Sequence, residues 1–169
     1  MTKINKNDDV SSKKEEELKA KARKLSIKEG NAYSFMDGFG LRYITPYALA
    51  LGASNAVVGL LSSLPHLLGN LSQIYSSKLI EKTSRKKIVF YSSLFQALMW
   101  APIILAGMLY FVFNFSSFSV SLLLLLFYTL MILFGAFAGP AWSSWMRDIV
   151  VKNTGEYFGR RNKIVGAIA

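Results

Sequence analysis

Three ionisable residues stand in or beside long apolar stretches, and their types define the chemistry open to this chain. Asp37 can take up and release a proton, Arg42 can hold an anionic group, and His66, the single histidine, can exchange a proton or form a hydrogen bond. Asn70 and Gln73 follow His66 at helical spacing and add amide donors and acceptors to the same side. A metal site needs clustered carboxylates or imidazoles, and covalent catalysis needs a nucleophile beside its base. The sequence has no DxxD or HExxH pattern and no cysteine, so disulfides, thiol nucleophiles and Cys-ligated metals fall away. The residues point away from an enzyme, a cofactor or a metal, and towards a path for a substrate, an ion or a proton.

The elements that position these residues follow from where charge is missing. Charged residues make up 18% of the 169 residues, against about 25% in soluble domains. Residues 43–77 and 88–146 contain no Asp, Glu, Lys or Arg. Both stretches exceed the roughly 20 residues that carry a helix across a hydrocarbon core. The chain reads as an all-α integral membrane protein, a polytopic helical bundle.

The net charge of +10 has a topological cause and does not indicate nucleic acid. Nine basic and six acidic residues lie in 1–29, five basic and one acidic in 78–87, and five basic and two acidic in 147–163; Asp37 and Arg42 stand alone. Short basic segments stay on the cytoplasmic side, so an even number of crossings separates each pair of clusters. That parity gives spans at about 32–52, 56–78, 88–112 and 119–144, with turns at Leu51–Asn55 and Phe113–Ser119. The first span must reach back through Arg42 and Asp37. The expected location is the cell (plasma) membrane, multi-pass, with the N-terminus cytoplasmic.

Residues 1–30 form a charged cytoplasmic tail, read as a surface helix. Ser12 and Glu15 have capping-box spacing, and Gly30 sits where such a helix would stop. The tail either contacts lipid head groups or a partner, or is simply solvated.

On a helical projection the second span has two faces. Gly59, Ser62, His66, Asn70, Gln73 and Ser77 share one, and Leu60, Leu64, Leu67, Leu71 and Ile74 fill the other. The polar stripe either lines a cavity or packs helices together. His66 has three readings open to it: proton coupling, substrate hydrogen bonding and packing. Arg42 serves either a substrate path or a structural pairing with another helix. Asp37 and Arg42, five residues apart, would point about 140° away from each other on a continuous helix, too far to pair directly. Trp142 and Trp145 suit an interfacial belt, Gly135 and Gly139 form a GxxxG, and Pro65 and Pro102 lie inside spans.

The stretch SSKLIEKTSRKKIV resembles the signature between the second and third spans of the major facilitator superfamily, a family of twelve-span secondary transporters. That pattern is Gly-x-Leu-x-Asp-Arg-x-Gly-Arg-Lys. Leu79, Glu81, Lys82, Arg85 and Lys86 occupy its Leu, Asp, Arg, Arg and Lys positions, while Ser77 and Ser84 stand in place of its glycines. GPAWSSWMRDIV followed by TGEYFGRRN is similar to the end of the fourth span and the loop beyond it, with Asp148, Gly155, Phe158, Gly159 and Arg161 matching and Thr154 replacing an Arg. Residues 33–71 look like the opening of microbial members, so the resemblance covers about residues 31–169.

The resemblance implies a truncated, major-facilitator-like N-terminal half working by alternating access, with a small-molecule substrate and a missing C-terminal half or second chain as partner. It also implies that Glu81 and Arg85 form part of a cytoplasmic latch; the alternative is that Lys82, Arg85, Lys86 and Lys87 serve as a positive-inside anchor. The final IVGAIA reads as the start of a fifth span, from about residue 161. Two other readings remain. One is a four-span homodimeric proton-coupled exporter using Asp37, and the other is a non-transporting membrane adaptor.

Overall fold

The computed structural model describes residues 6–150 and 153–168, with side chains from residue 13 onward. Every regular element among the described residues is helical. The order is α1 (Lys6–Phe39), a 3₁₀ turn (Leu41–Tyr43), α2 (Ile44–Ala50), α3 (Asn55–Lys82), α4 (Arg85–Leu98), α5 (Trp100–Phe111), α6 (Ser117–Ile149) and α7 (Thr154–Gly166). The chain divides into two compact units, one built from the part up to Arg42 and the part from Met146 onward, the other from Tyr43–Trp145.

Two helical stretches are long and apolar enough to cross a membrane: Arg85–Phe111, 27 residues, and Ser117–Ile149, 33 residues. The first spans α4 and α5, which meet at Met99, three residues before Pro102. Proline has no N–H to give the carbonyl four residues back, so a local irregularity there is expected. Helix α3 is 28 residues long, but its serines, His66, Asn70 and Gln73 dilute its apolar content.

Within the Tyr43–Trp145 unit, α3 buries Val57, Leu61, Pro65, Gly69, Ser72 and Ser76. A β-carbon on Gly69 would lie 3.3 Å from Ile132 Cγ2 of α6, so the missing side chain lets the two backbones approach. The buried Ser76 hydroxyl donates to the Phe137 carbonyl at 3.4 Å, and Ser72 donates to the Gly69 carbonyl at 2.7 Å. Small polar residues whose hydroxyls are satisfied by backbone let apolar helices pack closely without orphaned donors. Leu124 and Met131 of α6 and Ile103 of α5 complete the core.

Two turns sit where the apolar stretches are interrupted. Gly52 ends α2 with φ +75°, a conformation that favours glycine, and the Ser117 hydroxyl lies 2.6 Å from the carbonyls of both Leu51 and Gly52. Ser54 then caps α3 by accepting from the Val57 N–H at 3.4 Å.

Three features differ from the sequence expectation. Gly30 does not end the tail helix: α1 runs on to Phe39 and is already helical before Ser12, whose side chain lies outside the described residues. The stretch expected as one span at 32–52 is interrupted, since α1 ends at Phe39 and a 3₁₀ turn precedes α2. Residues 78–87 are helical on both sides of a break at Thr83 and Ser84, so this basic cluster is two helix ends joined by a short turn.

Candidate functional site

The candidate path residues on α3 are exposed. His66, Asn70 and Gln73 all face away from the packed side of the helix, as do Ser62 and Ser77. The packed side is set by Leu61, Pro65, Gly69, Ser72 and Ser76, and the polar stripe flanks it about a quarter-turn round the helix. Packing of α3 therefore uses its apolar and small residues, not the imidazole and amides of the stripe. Leu67, Leu71 and Ile74 occupy the remaining, exposed apolar arc.

Asp37 and Arg42 are brought together. Arg42 Nε stands 3.9 Å from Asp37 Oδ2, with side chains 64% and 37% exposed respectively. The 140° separation expected of a continuous helix does not hold, because α1 stops between them and Leu41–Tyr43 tightens into a 3₁₀ turn. At that distance and exposure the attraction is weak and leaves the guanidinium open to other anions.

In the α3–α4 stretch, Leu79, Glu81, Lys82 and Lys86 are exposed. Arg85 is half-buried and donates from Nη1 to the Ser144 carbonyl of α6 at 3.4 Å. Its guanidinium thus contacts the backbone near the end of α6, a role that neither a latch nor an anchor reading foresaw.

The α7 motif splits into a packing part and an open part. Arg161 donates from Nε to Ser26 Oγ at 3.1 Å and to the Ser26 carbonyl at 3.3 Å, and from Nη2 to Glu29 Oε2 at 3.3 Å. Tyr157 donates its hydroxyl to the Arg23 carbonyl at 3.0 Å. Together they dock α7 on α1. Phe158 is half-buried, whereas Asp148, Gly155 and Gly159 are exposed, and a β-carbon on either glycine would meet nothing within 4 Å. Asn153, in the left-handed region at φ 53°, opens α7 and donates to Glu156 Oε2 at 3.3 Å.

Burial pushes the Glu29 carboxyl above its ordinary value, and the adjacent Arg161 charge and hydrogen bond offset that only in part. On the open part of α1, Lys19 Nζ sits 2.7 Å from Glu15 Oε1; the hydrogen bond and charge of Lys19 lower the Glu15 pKa.

Sequence reasoning missed several partners. Tyr47 donates to the Ile103 carbonyl at 2.9 Å, and Gly107 leaves the space its ring occupies. Gln96 is buried, and a β-carbon on Gly135 would stand 2.8 Å from its Nε2, which explains the first glycine of the GxxxG; Gly139 has no such neighbour. An amide within the charge-free apolar stretch 88–146 was the available signal. Among the described residues no group of His, Asp or Glu is placed to hold a metal ion.

Compared with known proteins, the chain matches no family model, and no curated protein or solved structure is significantly similar to it. The likeness to the major facilitator superfamily therefore rests on the residues of the two motifs and the opening stretch.

Proposed function

We propose that this chain is the N-terminal part of a secondary active transporter that moves a small solute across the cell membrane by alternating access. The observation that carries the reading is the exposed stripe of His66, Asn70 and Gln73 on α3, which flanks the packed seam without belonging to it. Lipid offers no hydrogen bonds, so such a stripe calls for water or a facing protein surface. Two helical stretches able to cross a membrane supply the setting. Basic clusters at residues 78–87 and 147–163 favour a cytoplasmic location for those ends and for the N-terminus.

On this reading α3 is the second of four spans and its polar stripe lines the solute path. Arg42, loosely held by Asp37, attracts an anionic group of the solute, and a further half or second chain closes the cavity. The work is binding and conformational change, with no covalent step and no cofactor.

The test is a single cysteine at Gln73 in the natural protein in its own membrane, beside a control at Leu67 on the apolar arc. A water-soluble maleimide is expected to label position 73 and spare position 67. If both stay unlabelled, a non-transporting membrane subunit becomes the better description.

A further inference from the structure

A cavity of about 320 Å³ opens on the Tyr43–Trp145 unit where α3, α4 and α6 meet, within the usual range for small-ligand sites, roughly 300–1,000 Å³. Its walls are Ile88, Tyr91 and Phe95 of α4 and Phe134 and Phe137 of α6, and Lys87 is the single charged residue lining it. Phe95 and Phe134 stack with ring centroids 5.2 Å apart. Lys87, Tyr91 and Phe95 recur every four residues on one face of α4, so the groove runs about 12 Å along the helix at 1.5 Å per residue.

The groove is therefore polarised, cationic at one end and aromatic at the other. Lys87 is exposed, and it lies within a stretch, residues 78–87, that carries five basic residues and one acid. That acid, Glu81, does not line the cavity. An occupant complementary to this pattern is an amphiphile with an anionic head and an unbranched apolar tail.

We propose that the groove binds an anionic phospholipid, its phosphate at Lys87 and one acyl chain lying along Tyr91 and Phe95 against Phe134 and Phe137. The inference rests on the membrane reading above but not on transport. Basic residues at the cytoplasmic ends of membrane helices recognise anionic head groups in this way. The aromatic walls add a chain-binding surface that a charge cluster alone lacks. Lys87 stands just outside the Leu79–Lys86 motif, although Leu79 and Thr83 of that stretch also line the groove, so the site adjoins it.

The experiment uses the full chain in phosphatidylcholine vesicles containing a small fraction of phosphatidylglycerol with a photoactivatable acyl chain. Irradiated protein is digested and the adducts are mapped by mass spectrometry. Adducts are expected on α4 and α6 at the groove, about fivefold above those from a phosphatidylcholine probe, the size of one lysine's attraction to an anionic lipid. Lys87→Gln should abolish that preference, while Lys82→Gln, which alters an exposed lysine that does not line the groove, should leave it intact.

Equal labelling by both probes would reduce the groove to ordinary lipid contact and overturn the proposal. An identical loss in Lys82→Gln would do the same, by assigning the effect to general loop charge. A covalent dimer captured through Tyr91→Cys would give the groove to a second copy. Failure of the chain to float with the vesicles would overturn the membrane reading and this site together, whereas flotation with unselective labelling overturns the site alone.

Discussion

Arg161 lies against the bare backbone of Gly30: a β-carbon there would stand 2.6 Å from Nη2 of the guanidinium and 2.7 Å from Cγ2 of Val165. The helix accepts a glycine in its interior because α7 needs the space. Gly30→Ala gains roughly 1 kcal/mol of helix propensity, but its methyl requires Arg161 and Val165 to shift. Gly30→Val is expected to cost about 1–3 kcal/mol through overpacking, seen as earlier unfolding of the α1–α7 pair and loss of hydrogen-exchange protection in α7. Unchanged protection would show that the contact is not maintained.

Arg161 serves two partners from different nitrogens, Nε to Ser26 and Nη2 to Glu29, and its side chain is 11% exposed. A lysine ammonium is a single point and cannot reproduce that fork. Arg161→Ala is expected to weaken the α1–α7 contact by about 1.5–3 kcal/mol, the range for hydrogen bonds that involve a charged group. Arg161→Lys should recover less than half of this in thermal unfolding followed by circular dichroism. Full rescue by lysine would mean that charge alone, without the fork, holds the helices.

The pH dependence of the same contact has a definite sign. Burial raises the Glu29 pKa when α1 and α7 dock, so the docked form binds a proton more readily than the undocked form. The docking penalty is present above the folded-state pKa, and it is relieved as pH falls through that value towards the ordinary carboxylate range. Wild-type docking should therefore tighten between neutral and mildly acidic pH. Glu29→Gln should flatten the trend, and the difference between the two melting profiles isolates this one group. The effect is small because the carboxylate is half exposed.

Where the sequence was legible, it was legible through interruptions. The turn at Leu51–Asn55 and the one between α5 and α6 both fall where apolar runs meet Gly, Asn and Ser. The polar stripe of α3 also emerges as a separate face. Other features depended on contacts distant in sequence. Gly30 looks like a stop in isolation and is a spacer for Arg161, more than a hundred residues away. The Asp37 and Arg42 projection failed because a charge-free count cannot register a helix break at Gly40. Arg85 carries nothing in its spacing that foretells Ser144.

The Asp37–Arg42 pair sets up a test in which stability and function should separate. With Arg42 64% exposed, its removal is expected to change folding by no more than about 0.5 kcal/mol. If the guanidinium attracts the solute, Arg42→Ala in the natural protein should impair uptake while membrane insertion stays intact. Asp37→Asn, which releases Arg42 from its neighbour, should alter uptake far less. Equal uptake by wild type and Arg42→Ala would sink the assignment.

Gln73 and Ser76 stand three residues apart on α3 and divide its two polar roles. Ser76 is fully buried with its hydroxyl on the Phe137 carbonyl, and a leucine there must push α6 away. Ser76→Leu is expected to destabilise by about 1–3 kcal/mol, read as a lower detergent-denaturation midpoint. Gln73 faces outward, so Gln73→Leu should leave that midpoint within about 0.5 kcal/mol of wild type. If the stripe lines a solute path, the substitution should nevertheless reduce uptake in the natural protein, because an apolar residue then interrupts a water-facing surface. If Gln73 met lipid instead, the leucine would relieve an unsatisfied amide, and stability would rise with uptake unchanged. The two outcomes differ in both measurements, so this one substitution decides what the stripe faces.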